Sequence, residues 1–279
     1  MLTADARYKR YSHLRRAGGW SIASTVAFVM VFVAAVLTPV GQYTDAFSFG
    51  VFDWLPPLAD LLLLRTRALT PYVLCAAAVV LGVVGARRGL LLEAAVGTCA
   101  IIGAFAASSI LKYSLLERPY FGDFGYTVNT YPSGHVAVST LAAIMIVRML
   151  PGSRVRAIVL CLVVAAVTAI GIASVTTMAH RPSDVLGGLA LAGVIAPWAA
   201  RMRVASLSRF GSVAHGPGGA VAAIAVALTA LAPLAGADVG TIAVFSTATL
   251  ATTWLVIWVA TASPATPLRP QRGKQKPEA

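Results

Sequence analysis

The chain contains 279 residues, of which 58% are hydrophobic and only 11% are charged, and its mean hydropathy is +0.80. Soluble domains carry roughly a quarter charged residues, and disordered chains are poor in apolar ones, so the composition argues against both classes. The formal net charge is +12, which in a soluble protein would suggest a nucleic-acid partner. Repeated long apolar runs instead indicate a polytopic membrane protein.

Eight apolar runs are candidate membrane helices, because a helix needs about 20 apolar residues to cross the hydrocarbon core. The predicted fold class is therefore all-α, a polytopic integral membrane helix bundle of about eight transmembrane helices. The three cysteines lie within these runs without the paired spacing of a zinc site, which indicates free thiols. The predicted spans are Trp20–Val40, Leu69–Ala86, Gly89–Leu111, Gly134–Leu150, Ala157–Thr177, Asp184–Ala200, Gly218–Gly236 and Val239–Thr261.

The segments between the runs show a strong charge bias. With a cytoplasmic N-terminus, seventeen of the 22 Lys and Arg residues fall on the inner side and five on the outer side. The positive-inside rule then predicts that both termini are cytoplasmic. The net charge is mainly a topology signal on this interpretation, and the basic tails can also contact anionic lipid head groups. The five outer residues are Arg65, Arg67, Lys112, Arg118 and Arg181.

Three further segments are distinguished by composition. Residues 1–19 form a polar, basic stretch that is predicted to be a cytoplasmic tail, and residues 262–279 are predicted to be a disordered basic cytoplasmic tail. Residues 41–68 combine several aromatic residues with the leucine run from Leu61 to Leu64. This pattern predicts an outer re-entrant or interfacial piece, for which ordinary anchoring is favoured over a lipid entry lip.

Three polar clusters stand at the predicted outer ends of spans, at residues 112–119, 131–135 and 174–184. Lys112 and Arg118 run against the positive-inside bias, so a role other than topology is indicated. Both side chains can hold a phosphate, the lysine by its charge and the arginine by a bidentate fork. Ser133 and Gly134 stand where the fourth span begins, and the N-terminus of a helix favours an anion.

The same clusters contain two histidines and a carboxylate. His180 and Asp184 are four residues apart, so on a helix they share a face and Asp184 can orient the imidazole. His135 follows Gly134 directly. Two histidines, a carboxylate and cations suit phosphoryl transfer without a metal, in which one histidine attacks phosphorus and the other protonates the leaving oxygen.

These segments resemble the signature motifs of the type 2 phosphatidic acid phosphatase family, membrane-bound lipid phosphate phosphatases related to the vanadium haloperoxidases. The matching residues are Arg118-Pro119, Pro132-Ser133-Gly134-His135, and His180 with Asp184. The resemblance covers about residues 20–204 and implies that they form a six-span catalytic core. Residues 205–261 are then an inner loop and two additional transmembrane helices.

The resemblance also implies a role for each site residue. His180 would be the nucleophile that forms a phosphohistidine, Asp184 would support it, and His135 would be the general acid. The residues implied in phosphate binding are Lys112, Arg118, Ser133 and Gly134. No metal and no cofactor are expected.

The first departure from the family pattern concerns Lys112. Five residues separate it from Arg118-Pro119, whereas the family usually has six. One residue corresponds to about 100° of rotation on an α-helix, so the shorter spacing turns Lys112 relative to the pattern. An interfacial lysine that extends its charge to the head groups is the alternative interpretation.

The second departure concerns the third cluster. Ser174 stands six residues before His180, where the family carries an arginine. Arg181 is one candidate replacement, and contact of Arg181 with a lipid head group is an equally weighted alternative. Hydrogen bonds from the hydroxyls of Ser174 and Thr177 are the other candidate replacement, although they are weaker than charge-assisted ones.

The leading functional hypothesis is an outward-facing lipid phosphate or lipid pyrophosphate phosphatase in a bacterial-type plasma membrane. Polyprenyl-linked or glycerophospholipid substrates of envelope synthesis are expected, with membrane lipids and no nucleic acid as partners. The altered third cluster leaves a phosphotransferase or a catalytically altered lipid-binding relative as the alternative. A transporter is disfavoured, because the polar residues lie at one interface and not in broken helices at mid-membrane.

Overall fold

A computed structural model describes residues 4–50, 56–123, 127–150, 153–200 and 237–261, and within these ranges every regular element is helical. Two of the helices continue into a π-helical turn, α1 into Phe32–Val36 and α4 into Leu111–Leu115. The helices are α1 (Ala4–Val31), α2 (Pro39–Gly50), α3 (Pro57–Arg87), α4 (Leu91–Ile110), α5 (Gly134–Met149), α6 (Ser153–Thr176), α7 (Pro182–Ala200) and α8 (Ala237–Thr261).

The apolar character of these helices is that of a membrane protein. Four of them are long and apolar enough to cross a bilayer, and three shorter apolar helices accompany them in the described ranges. The expectation of an all-helical membrane bundle is therefore confirmed. The number of spans remains a prediction, because the predicted span 218–236 lies outside the described residues. The four long spans are Gly18–Val36, Pro57–Arg87, Leu91–Leu115 and Arg154–Thr176.

The stretch predicted to be a cytoplasmic basic tail is helical from Ala4, and its placement in the cytoplasm stays a prediction. The predicted start of the second span is wrong, because the second half of segment 41–68 belongs to α3, which begins at Pro57 and not at Leu69. Pro57 suits the first turn of a helix, and Asp60 there complements the helix dipole. The leucines that follow are good helix formers, so no stop signal separates them from the predicted span.

The first half of segment 41–68 forms the short helix α2, which is separated from α1 by the π-helical turn. Its buried polar residues face the bundle, and Gln42 is only 4% exposed. The Gln42 amide donates to the carbonyls of Val36 and Pro119, at 2.8 Å each. This helix therefore ties the end of α1 to the segment of the first polar cluster.

The core is centred on α5, which packs against α3, α4, α6, α7 and α8. A side chain at Gly82 would meet Met145 at 2.6 Å, and one at Gly85 would meet Met149 at 2.7 Å. Because both pairs advance along the chain together, α3 and α5 run in the same direction. The last helix, α8, packs on α5, α6 and α7, so it belongs to the same bundle as the helices of the predicted core.

Candidate active site

The three polar clusters meet at one end of the bundle. The backbone N–H of Ser133, just before α5, donates to the carbonyl of Asp184 on α7 at 2.8 Å. From the segment after α4, Arg118 brings its Nη2 atom to 3.8 Å from Asp184 Oδ1. The ends of α4 and α6 and the beginnings of α5 and α7 therefore surround one site, which joins residues that are far apart in the sequence.

Asp184 is the buried centre of this site. Its side chain is inaccessible to solvent, and its Oδ2 atom accepts hydrogen bonds from the Thr130 hydroxyl and, at 2.9 Å, from the N–H of Arg181. The Nδ1 atom of His180 lies 3.5 Å from the same Oδ2 atom. A buried carboxylate facing Nδ1 favours a proton on that nitrogen, which leaves Nε2 as the nitrogen with a free electron pair.

The two histidines are neighbours with different exposure. Their ring centroids are 6.3 Å apart, with an interplanar angle of 63°, so they do not stack face to face. His180 is buried, whereas His135 is exposed. A ligand entering from solvent would therefore reach His135 on the open side and His180 on the closed side.

Lys112 lies within the π-helical turn at the end of α4. Leu116 donates its N–H to the carbonyl of Leu111 at 2.8 Å, five residues back, and this adds one residue to the turn. The charge of Lys112 acts on both Asp184 and His135. Despite the short spacing, Lys112 therefore lies close enough to the site for its charge to influence both residues.

The other two predicted cations are buried. The Arg118 side chain is 3% exposed and Arg181 is 1% exposed. The interpretation of Arg181 as a lipid head-group contact is therefore wrong, because a head group would have to reach a surface that the bundle covers. A buried guanidinium next to His180 is consistent instead with a place in the site.

At the predicted anion site, the residues that begin α5 are packed against other helices, but the first N–H groups of α5 have no partner within the helix. Ser133 is fully buried, and its hydroxyl makes no capping bond to α5. Gly134 approaches α4 closely, because a side chain there would meet the Ser108 hydroxyl at 2.8 Å. The first N–H groups of a helix lack partners within it, so those of α5 remain suited to an anion.

Ser174 and Thr177 do not supply the hydrogen bonds expected of them. The Ser174 hydroxyl donates to the carbonyl of Ile170 at 2.7 Å, and the Thr177 hydroxyl donates to Ala173 at 2.6 Å. Both bonds run back along α6, as is common for hydroxyls in helices. Ser174 acts through its backbone instead, since its carbonyl accepts the N–H of His180 at 2.9 Å.

Sequence reasoning missed Asp45 on α2, which is 6% exposed. Its carboxylate accepts the N–H of Ser183 at 3.0 Å and also the Ser183 hydroxyl, at the start of α7. Burial, followed by the negative charge of Asp184, raises the pKa of Asp45 to about 6, while the bonds from Ser183 and the charge of Arg118 oppose the rise. The signal that could have identified Asp45 in the sequence was its position as an acidic residue within an apolar stretch.

Two further residues that sequence reasoning missed hold the loop before α5. The amide of Asn129 donates to the carbonyl of Leu116 at 2.7 Å, which ties this loop to the first cluster. The Tyr131 hydroxyl donates to the carbonyl of Phe28 at 2.6 Å, and the ring packs on Phe28 with centroids 4.9 Å apart. Burial raises the pKa of Tyr131, so it remains a hydroxyl donor.

Residues 94–207 match the family model of the PAP2 superfamily, which confirms the family resemblance of the motifs. The matched range contains all of the site residues discussed above except Asp45 on α2 and Phe28 on α1. Members of this superfamily are phosphatases, so the match indicates phosphatase activity on phosphate esters. A comparison with curated proteins and a comparison with solved structures each found no match.

Proposed function

We propose that this protein is a membrane lipid phosphate or lipid diphosphate phosphatase that works through a phosphohistidine at His180 and requires no metal. The observation that carries the proposal is the pairing of His180 with buried Asp184 beside exposed His135. Such a pair supplies a nucleophilic nitrogen, an orienting carboxylate and a separate proton donor within one site.

The proposed reaction has two steps. In the first, Nε2 of His180 attacks phosphorus, the bond from phosphorus to the leaving oxygen breaks, and His135 gives its proton to that oxygen. In the second, water attacks the phosphohistidine, the bond from nitrogen to phosphorus breaks, and His135 takes a proton from the water. The products are inorganic phosphate and the dephosphorylated lipid.

The cations and helix ends around the histidines support this role. Negative charge on the transferred phosphoryl oxygens would be stabilised by Lys112 and Arg118 and by the first N–H groups of α5. Arg181 is a further candidate, because it follows the nucleophile and is buried with it. We propose that the site lies on the outer face of a bacterial-type plasma membrane, on the support of the charge bias among the connectors.

The experiment is release of inorganic phosphate by the purified full-length protein in detergent with EDTA present. The substrates are a polyprenyl diphosphate, a polyprenyl monophosphate, phosphatidic acid and phosphatidylglycerol phosphate. We expect release that survives EDTA and falls by at least about 10³-fold in His180→Ala, because the nucleophile is lost. His13→Ala, in the basic stretch before the first span, is the matched control and should retain activity.

Three results would count against the proposal. Abolition of release by EDTA would indicate a metal-dependent reaction. Unchanged release in His180→Ala would show that His180 is not the nucleophile. Absence of release from all four lipids by folded protein would favour a phosphotransferase or a lipid-binding relative instead.

A further inference from the structure

Arg67 on α3 stands near the site, although it lies outside the three polar clusters. The contacts of Gly82 with Met145 and of Gly85 with Met149 fix how α3 runs beside α5. Extended outwards, this alignment places His135 level with residues 71–72 of α3. Arg67 is then about one helical turn beyond the start of α5, at the same end of the bundle as the two histidines.

The Arg67 side chain reaches inwards from this position. Its Nε atom is buried and has no hydrogen-bond partner in the described part of the chain, while the residue as a whole is half-buried. Its positive charge acts on His135, as does that of Lys112. Arg65, two residues earlier on the same helix, is exposed. One arginine of the pair therefore faces the site and the other does not.

The position beside His135 determines which part of a substrate would meet Arg67. In-line displacement at phosphorus puts the nucleophile and the leaving oxygen on opposite sides. With His180 as the nucleophile and His135 as the proton donor, the leaving group lies on the His135 side. That side is the open one, since His135 is exposed, so a lipid can leave through it.

We infer that Arg67 binds the phosphate of the leaving group, and that the site therefore prefers lipid diphosphates to lipid monophosphates. This inference rests on the proposed function. When His180 attacks the terminal phosphorus of a diphosphate, the bond to the bridging oxygen breaks and His135 protonates that oxygen. The leaving group is then a lipid monophosphate, which still carries negative charge for the guanidinium to bind.

A lipid monophosphate offers Arg67 no such partner. Its leaving group is the lipid alcohol, which is neutral once His135 has protonated it. A cation on the His135 side therefore has no negatively charged leaving group to stabilise as the bond to phosphorus breaks. Arg67 is thus a specificity-determining residue, distinct from the cations that hold the transferred phosphoryl group.

The test compares phosphate release from a polyprenyl diphosphate and from the monophosphate of the same chain length. The full-length proteins are wild type, Arg67→Gln, Arg67→Lys and the control Arg65→Gln. We expect Arg67→Gln to lower kcat/KM for the diphosphate by about 10- to 100-fold, the usual effect of losing a charge-assisted hydrogen bond, and for the monophosphate by less than about threefold. Arg67→Lys should recover part of the diphosphate activity, and Arg65→Gln should change neither substrate.

Each other outcome overturns the inference. Equal losses on the two substrates would place Arg67 on the transferred phosphoryl group or in a structural role. Unchanged kcat/KM of Arg67→Gln on both substrates would show that Arg67 does not contact the substrate. Wild-type activity on the monophosphate, abolished by His180→Ala, reports the proposed function separately, so the inference can fail while the proposed function stands.

Discussion

Replacement of Asp45 by Asn tests how α2 supports the start of α7. The carboxylate accepts two hydrogen bonds from Ser183, so it holds the first turn of the helix that carries Asp184. Asparagine has nearly the same shape and retains one acceptor oxygen, but it does not ionise. The substitution therefore isolates the effect of a buried charge from the effect of packing.

The magnitude follows from the shift in the pKa of Asp45 from 3.8 to about 6. Each pKa unit corresponds to about 1.4 kcal/mol, so ionisation of Asp45 costs the folded state up to about 3 kcal/mol relative to the unfolded chain. Because the folded pKa is the higher one, the stabilising contribution of the protonated form is complete below about pH 4 and is lost as the pH rises through about 6. The free energy of unfolding of Asp45→Asn should therefore rise relative to wild type by about 2 kcal/mol between about pH 4 and pH 7.

The measurement is equilibrium unfolding in detergent, followed by tryptophan fluorescence across this pH range. Asp60→Asn is the matched control, since Asp60 is an exposed carboxylate in the first turn of α3. The control should not reproduce the pH-dependent difference. A difference between Asp45→Asn and wild type that stays constant from about pH 4 to pH 7 would refute the reasoning, because it would mean that Asp45 does not titrate in this window.

Two further substitutions test the packing around the site. Ser174→Arg, which restores the family residue, should lower both the melting temperature and phosphate release, because Ser174 is fully buried; increased release would show that the site had only lost its arginine. Gly188→Ala should lower the melting temperature, since its Cβ would lie 2.5 Å from the Ser133 carbonyl oxygen, whereas Gly103→Ala has open space and should not. Equal melting temperatures for the two alanine variants would contradict the close approach of α7 to the loop before α5.

Much of the secondary structure could be predicted from apolar runs. The predicted start of the fourth span at Gly134 coincides with the start of α5, and the last predicted span ends at Thr261, as α8 does. The start at Gly134 could be predicted because Pro132, just before it, disfavours a helical conformation in the residues that precede it. The limits of α3 were missed, because a leucine run beside polar residues is compatible with either an interfacial or a spanning helix.

The motifs predicted the residues of the site better than their arrangement. His135, His180 and Asp184 were all identified from the sequence, and the structure brings them together. The orientation of Lys112 was not accessible, because a π-helical turn leaves no clear mark on residue spacing. The sequence also did not predict that the Ser174 hydroxyl donates to the carbonyl of Ile170, since this depends on which acceptor lies nearest in the folded helix.

The sequence by itself determined the helical membrane architecture and the family resemblance, because both depend on local properties: apolar length, helix start signals and short motifs with fixed spacing. Only the tertiary structure decided which side chains support that chemistry. Asp45 meets Ser183, and Arg67 acts on His135, across helices that are distant along the chain. Such pairs depend on how the helices are aligned in the bundle, and close packing at glycines such as Gly82 and Gly188 sets that alignment.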